Sequence, residues 1–517
     1  MNNCLAKTLM ALAFTGIMSV TGVAQAALSQ NPQENLYYAA SSEPLSLDPA
    51  LIDDIDSGNV ISNIYEALLD FKPGTTDVVP CLAESWTITN NGRDYIFKLR
   101  RNVKFHDGTP FNAEAVAFNV ERQLPQNATS KMAYAGFVFG DVERVEVVDE
   151  YTVKIVLHQE NAAFLRNMAM SYASPIVSPT ALKRYNNDVS THPAGTGPYK
   201  LDYWDHGNQV VLTRNEDYWG AKPKVDHVVY RVIGDVNDRV RALANGEVDI
   251  IANINADVIP EISSHSNLKI MEARGINTNY IVYNCRDDHI TSKRDVREAI
   301  AYAINVRAMI KELYKEYADY APSFFPSFMD GFDPSVRAPQ FDVDEARQIF
   351  NEYGLKELTI MTYKNARSYN AVGGEVLAAH VAKYLEQAGL KVNIVSYPWG
   401  EYQDRLQTDS WDIAFMGWIG DNGDPDNYIN IFATGGAVHD DGMWTNKLFD
   451  SIVSEALRVE DHDVRIMLYQ KSDAILSESV GILPLSHAKI LAAYSDRISG
   501  SFTNALGITT FDSVSKK

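Results

Sequence analysis

Three short apolar runs, "LTIMTY" (358–363), "KVNIVSY" (391–397) and "WDIAFMG" (411–417), recur in the later part of the chain, each preceded by a helical pattern. This alternation constrains the fold more than any other feature. Strand, helix, strand, helix, strand buries its apolar faces as a parallel sheet with crossover helices. The first helix is expected over about Val343 to Tyr353, stopping at Gly354. The second carries Leu377, Val381, Tyr384 and Leu385 on one face and stops at Gly389; the third lies around Tyr402 to Leu406. Glycine ends a helix readily because it accepts the left-handed conformation of the residue past the cap. Upstream, Ser292 and Asp295 are expected to form a capping box before a helix bearing Val296, Ile300, Ala303 and Ile304.

Before about Asn277 the pattern is different. From about Ala39 to Leu157 the chain favours strands. "WTITNNGRDYIFKLR" alternates apolar residues around Asn91-Gly92, a hairpin signature, and "VERVEVVDEYTVKIVL" repeats the device. A Gly-Thr-Gly-Pro turn at Gly195 to Pro198 leads into further strands, "YKLDYW" and "QVVLTR". No fixed-period repeat or low-complexity tract is present, and 517 residues exceed what one core usually sustains, so two or more lobes are expected.

A parallel sheet also fixes where a ligand would sit, in the crevice outside the carboxyl ends of the strands. The loops leaving those ends carry Lys364 and Arg367, then Trp399, then Trp418 and Asp421. Arg367 and Asp421 are therefore expected to face one crevice with opposite charges. A carboxylate beside Trp418 suits a cation, and a guanidinium offers a bidentate seat for a carboxylate. Together they fit a zwitterion. The terminal charges of an extended two-residue peptide lie up to about 7 Å apart, and the 7 Trp, 27 Tyr and 20 Phe of the chain could line side-chain pockets between them.

Other chemistry is excluded or left without support. The run "GDNGDPDN" places Asp421, Asp424 and Asp426 close together, but their spacing, with Pro425 between the last two, does not follow a calcium loop. Metalloprotease, thiol-redox, nucleophile-elbow and nucleotide-loop signatures are absent from the sequence. Two carboxylates of this run could serve as the acid and base of a hydrolase. The competing expectation for Asp424 and Asp426 is hydrogen bonding to their own turn backbone. A net charge of −21 opposes binding to nucleic acid or anionic lipid. Residues 1–26 read as an export signal: Lys7, an apolar stretch too short to span a bilayer, and Ala24-Gln25-Ala26 as the cleavage site. Of the remaining cysteines, Cys81 and Cys285 are expected to be buried apolar residues, with a single bridge as the alternative.

The chain resembles the periplasmic solute-binding proteins of the peptide-binding family that serve ABC importers, closest to the dipeptide-binding branch. The resemblance rests on "LAESWTITNNGRDYIFKLRRNVKFHDGTPFNAEAVAF", "GTGPYKL", "NEDYWGAKP", "DVREAIAYAINVRAMI", "RSYN" and "GWIGDNGDPDN". It implies an α/β, two-lobed periplasmic binding protein fold with an additional subdomain in the first lobe. The divisions would be signal peptide 1–26, first lobe 27–72, subdomain 73–178, first lobe continued 179–276, second lobe 277–486 and a return to the first lobe over 487–517. It further implies a periplasmic monomer that is not an enzyme, needs no cofactor or metal, captures dipeptides or short peptides and delivers them to the membrane subunits of an ABC permease. By motif, Asp421 would hold the ligand's amino terminus and Arg367 its carboxylate. Tyr369 would line the pocket, Trp418 and Gly417 would flank the ligand backbone, and Tyr134 would complete the site. Ser368 replaces a proline common in the "R-P-Y-N" form of the motif. Relatives with similar runs are associated with haem, glutathione or antimicrobial peptides, which keeps those cargoes as alternatives.

Overall fold

The computed structural model describes residues 34–517 except 73–74, 287–288, 437–438, 443 and 505, with 440 and 441 described in backbone only. The expected signal peptide lies outside the described residues. Among those described, no helix is long and apolar enough to cross a membrane.

The three apolar runs form the strands Glu357–Tyr363, Lys391–Tyr397 and Ile413–Ile419. The first two pair in parallel from Glu357 against Lys391 to Tyr363 against Tyr397, and Ile360 and Met361 pair in parallel with Ile413 and Ala414. The crossover helices are Val343–Glu352, Gly374–Gln387 and Trp399–Thr408. Asp342 caps the first by accepting from the N–H groups of Asp344 and Glu345. Gly354 and Gly389 follow the first two helices with φ of 65° and 99°, the left-handed geometry that stops a helix. Leu377, Val381 and Leu385 are fully buried on the sheet-facing side of the second helix. Each such side chain contributes about 1.5–3 kcal/mol of burial.

The parallel unit is one end of a larger sheet. Ile413–Ile419 runs antiparallel to Asn277–Tyr283, which in turn pairs with the first part of the strand Ile482–Ser495. The later part of that 14-residue strand pairs instead with Ile250–Ala252 and Leu268–Arg274. Beyond them lie Asn35–Ala40, His227–Val232, Gln209–Arg214 and Tyr199–Asp205, and with Ala318–Tyr320, which also pairs with Ile482–Ser495, the sheet has 12 strands. One long strand thus joins two sheet halves, in keeping with the two-lobed arrangement that the resemblance implies. At the junction the pairing shifts register between Asn279 and Tyr280. Here Asn277 substitutes for a backbone pair: its Nδ2 donates to Ala488 O at 2.8 Å and its Oδ1 accepts from Ala488 N at 2.8 Å.

A separate antiparallel sheet contains, in order, Ala83–Thr89, Asp94–Leu99, Thr152–Leu157 and Val142–Asp149. Its first hairpin turns through Asn90, Asn91 and Gly92, all at positive φ, as the Asn-Gly signal predicts.

Three expectations need correction. The early region is not strand alone: Ile55–Ile64 and Ala113–Gln123 are helices, capped by Asp54 and Asn112. Ser292 is no N-cap, because Ile290–Ser292 forms its own 3-10 turn and the helix Arg294–Ala303 begins after Lys293. Its carbonyl accepts from Arg297 Nη1 at 2.9 Å, while the Asp295 carboxylate accepts the Tyr353 hydroxyl at 2.7 Å. Cys81 and Cys285 are free thiols; Cys81 is buried, and Cys285 only partly so.

Candidate ligand-binding site

Arg367 sits in the loop after Glu357–Tyr363, and the local sequence holds it there firmly. Arg367 and Asn370 exchange backbone hydrogen bonds at 3.0 and 2.8 Å, closing a tight turn. The Asn370 side chain then anchors the turn in the core, accepting from Tyr314 Oη at 2.6 Å and donating to Tyr363 Oη at 2.9 Å. With its backbone fixed, Arg367 lays its guanidinium over Trp399, 4.0 Å from the ring centroid. Trp399 opens the helix after Lys391–Tyr397, so two neighbouring strand ends supply cation and platform. The guanidinium is partly exposed, and no carboxylate among the described residues pairs with it.

Tyr369 is buried, and burial pushes its hydroxyl up to about 12, with the Arg367 charge pulling the other way. Its ring lies on Gly417, where any Cβ would collide with the ring carbons. That close approach explains a glycine in the strand Ile413–Ile419. It also ties the Arg367 loop to the strand that leads to Asp421. Asp421 lies four positions after Gly417, a path of at most roughly 14 Å.

Asp421 is held differently. Its Oδ1 accepts from Tyr134 Oη at 2.9 Å and Tyr172 Oη at 3.3 Å, and Tyr172 also reaches the Asp421 carbonyl at 3.1 Å. Its Oδ2 accepts from Asn427 Nδ2 at 3.1 Å. Asn427 Oδ1 in return accepts the Asp421 N–H at 2.9 Å and Trp418 Nε1 at 3.4 Å, so one amide aligns Trp418 and Asp421 together. Burial raises the Asp421 carboxyl above its usual range, and the Asn427, Tyr134 and Tyr172 hydrogen bonds oppose that rise. All these donors are neutral, and no cationic side chain among the described residues pairs with Asp421. A half-buried carboxylate without a counter-charge is a seat for a cation.

The remaining acids of the run serve the fold. Burial pushes Asp424 up, but the Arg465 guanidinium, bonding both oxygens at 2.8 and 2.6 Å, holds it below the usual carboxylate range. Asp424 also caps the helix Pro425–Ile429 through the Asp426 N–H at 2.9 Å, the turn hydrogen bond expected from the sequence. Asp426 departs from that expectation: its carboxylate accepts the Tyr469 hydroxyl at 3.2 Å. Burial, then the negative charge of Asp424, pushes it up to about 7. With Asp424 in an ion pair and Asp426 turned to Tyr469, this loop offers Asp421 no free second carboxylate. The described residues contain no group of three or more metal-ligating side chains.

All six residues singled out in the sequence occur in this arrangement. Gly417 meets Tyr369, Arg367 meets Trp399, and Trp418, Asp421 and Tyr134 are connected directly or through Asn427. The Cβ side of Gly417 is covered by the Tyr369 ring, while the residue as a whole is half-buried. Tyr172, Asn427 and Trp399 complete the arrangement. The "GDNGDPDN" motif contained Asn427, but nothing in the sequence near Tyr172 ties it to a partner 249 positions away.

A profile of the bacterial extracellular solute-binding proteins, family 5 (Middle), matches residues 77–440. The chain belongs to that family. The match covers the strand pair from the hairpin sheet through the Asp421 loop, so both charged ends of the site lie within it. Among relatives of this family 5 protein, the dipeptide-binding protein of Pseudomonas aeruginosa is 30% identical over 90% of this chain and 92% of its own. The haem-binding protein A of Haemophilus influenzae is 29% identical over 95% and 94%. Among solved structures, the periplasmic binding protein DppA of Helicobacter pylori, in complex with the peptide STSA, is 28% identical with a TM-score of 0.79, covering 93% of this chain and 98% of its own.

Proposed function

We propose that this family 5 protein captures dipeptides or similarly short peptides in the periplasm and passes them to the membrane subunits of an ABC importer. One observation carries the proposal. At a common strand edge, a guanidinium stacked on Trp399 has no carboxylate partner among the described residues, and the half-buried carboxylate of Asp421 has only neutral donors among them. An anion and a cation would complement these two groups, and a free peptide supplies both at its two ends. Arg367 would take the ligand carboxylate and Asp421 the ammonium. Tyr369, Trp418 and Gly417 would flank the backbone between them, and Tyr134 would orient Asp421. Relatives and a solved structure named for peptide binding support the same class of cargo.

In this reading the lobes divide at Asn277–Tyr283 and within Ile482–Ser495, and closure about that junction encloses the ligand. The closed form is favoured by the ligand's differential affinity for it. The haem-binding relative supports a second cargo on the same fold. A Soret band on titration with haem, without thermal stabilisation by dipeptides, would favour that cargo.

The test is calorimetry with end-blocked ligands. Arg367→Ala should weaken binding of a free dipeptide by about 3–5 kcal/mol, the scale of stranding a buried charge. Amidating the ligand's carboxylate should cost the wild type a similar amount and the variant little more. Asp421→Asn should do the same for acetylation of the amino end. A wild type indifferent to both blocks would reject the proposal.

A further inference from the structure

The loop that carries Asp421 is gripped from the other side of the molecule by more than the two tyrosines. Arg166, in the short helix Phe164–Asn167, donates Nη1 to Gly423 O and to Asp424 Oδ2, each at 3.3 Å, and Nη2 to Asp330 Oδ2 at 3.3 Å. Its neighbour Asn167 accepts from Asn422 Nδ2 at 2.6 Å through Oδ1 and donates Nδ2 to Phe137 O at 3.3 Å. Thr76 packs on Gly423, leaving no room for a Cβ there, and Gly423 is at a positive φ of 67°. Arg166, Asn167 and Thr76 all precede the junction strand Asn277–Tyr283, whereas Asn422, Gly423, Asp424 and Asp330 all follow it.

The Arg166 contacts are not needed to neutralise Asp424. Arg465, from the same side as Asp424, already bonds both carboxylate oxygens at 2.8 and 2.6 Å. A second guanidinium brings a second positive charge to one negative charge, and the half-exposed Asp330 supplies the balance. The remaining consequence of Arg166 is a bridge that exists only while the two sides are together. Such a contact counts toward the closed form alone.

We infer that Arg166, supported by Asn167, is a positioning residue that latches the Asn422–Asp424 segment across the cleft and sets how long the closed form persists. It touches neither proposed end of the ligand. The inference rests on the closing-cleft reading above, but its central measurement does not require the ligand to be a peptide.

The experiment compares wild type, Arg166→Met and Asp330→Asn as full chains. Small-angle scattering of the ligand-free proteins reads closure directly, and stopped-flow fluorescence with an unmodified dipeptide reads its dissociation rate. Arg166→Met should increase the radius of gyration and raise the dissociation rate about tenfold or more, the scale of losing a charge-assisted hydrogen bond. Asp330→Asn should shift both in the same direction by less. The affinity ratio between free and acetylated dipeptide should stay at its wild-type value. An unchanged radius of gyration in Arg166→Met overturns the latch, as does a variant that fails to fold, because Arg465 should suffice for the fold. Collapse of the acetylation ratio would instead put Arg166 in the ligand site and also overturn the inference. If no dipeptide binds wild type, the peptide reading fails while the scattering comparison still decides the latch.

Discussion

Asp421 and Asp424 stand three positions apart in one loop, the first half-buried and the second fully buried, and are held in opposite ways. Asp424 has two guanidiniums and a helix N-terminus; its charge is satisfied by the protein. Asp421 has two phenols and an amide, all neutral. The same residue type in one loop is therefore pushed to opposite sides of its usual pKa, raised at 421 and lowered at 424. Burial is the largest influence on both, so the counter-charge decides the direction. A buried acid that the fold has neutralised belongs to the fold, and one left with neutral donors is available to a charge from outside.

The comparison breaks most visibly at Arg465. Arg465→Met leaves Asp424 with the Asp426 N–H and the longer contacts from Arg166, and the expected loss of stability is about 3–5 kcal/mol in urea unfolding. Asp421→Asn, which removes a charge that no cationic side chain among the described residues pairs, should change stability by no more than about 1 kcal/mol. Equal losses for the two variants would erase the distinction between a structural and an available acid.

Acid should separate the two in binding rather than folding. A ligand ammonium favours ionised Asp421, so occupancy lowers a pKa that burial has raised in the free protein. Affinity for a free dipeptide is then complete above that raised value. It falls as pH drops through it, by at most about tenfold per pH unit for one group. Asp424, already below its usual range, stays ionised across this window and keeps its contacts. An amino-acetylated dipeptide should show no such slope, and neither should Asp421→Asn. A slope of equal size with the acetylated ligand would place the titrating group elsewhere.

Much of this arrangement was legible in the sequence, for a physical reason. Alternating periods of 3.6 and 2 announce crossover units, and crossover units put the loops after 363, 397 and 419 on one edge. That alone brought Arg367, Trp399 and Asp421 to the same edge of the sheet. What stayed hidden came from outside the pattern. Tyr172 and Arg166 reach the loop from about 250 positions away, and no local periodicity encodes such pairings. The role of Asn370 is similar: its place in the "RSYN" run was visible, but not the two tyrosine hydroxyls that anchor it. The helices Ile55–Ile64 and Ala113–Gln123 escaped because the first mixes β-branched and small polar residues and the second follows a strand-rich stretch. The capping box at Ser292 failed by register, since a preceding 3-10 turn moved the helix start beyond it.

The smallest expected effect tests the neutral donors themselves. Tyr134→Phe removes the 2.9 Å hydrogen bond to Asp421 Oδ1 and leaves Tyr172 at 3.3 Å and Asn427 at 3.1 Å in place. A phenol that donates to a carboxylate stabilises its charged form, so losing it should weaken dipeptide affinity by about 1 kcal/mol. The same loss lets burial act with less opposition, moving the acid limb of the binding profile toward higher pH. These two changes must appear together, because both come from one hydrogen bond to one ionised group. A weaker affinity with an unmoved acid limb would mean that Tyr134 contacts the ligand directly rather than acting through Asp421.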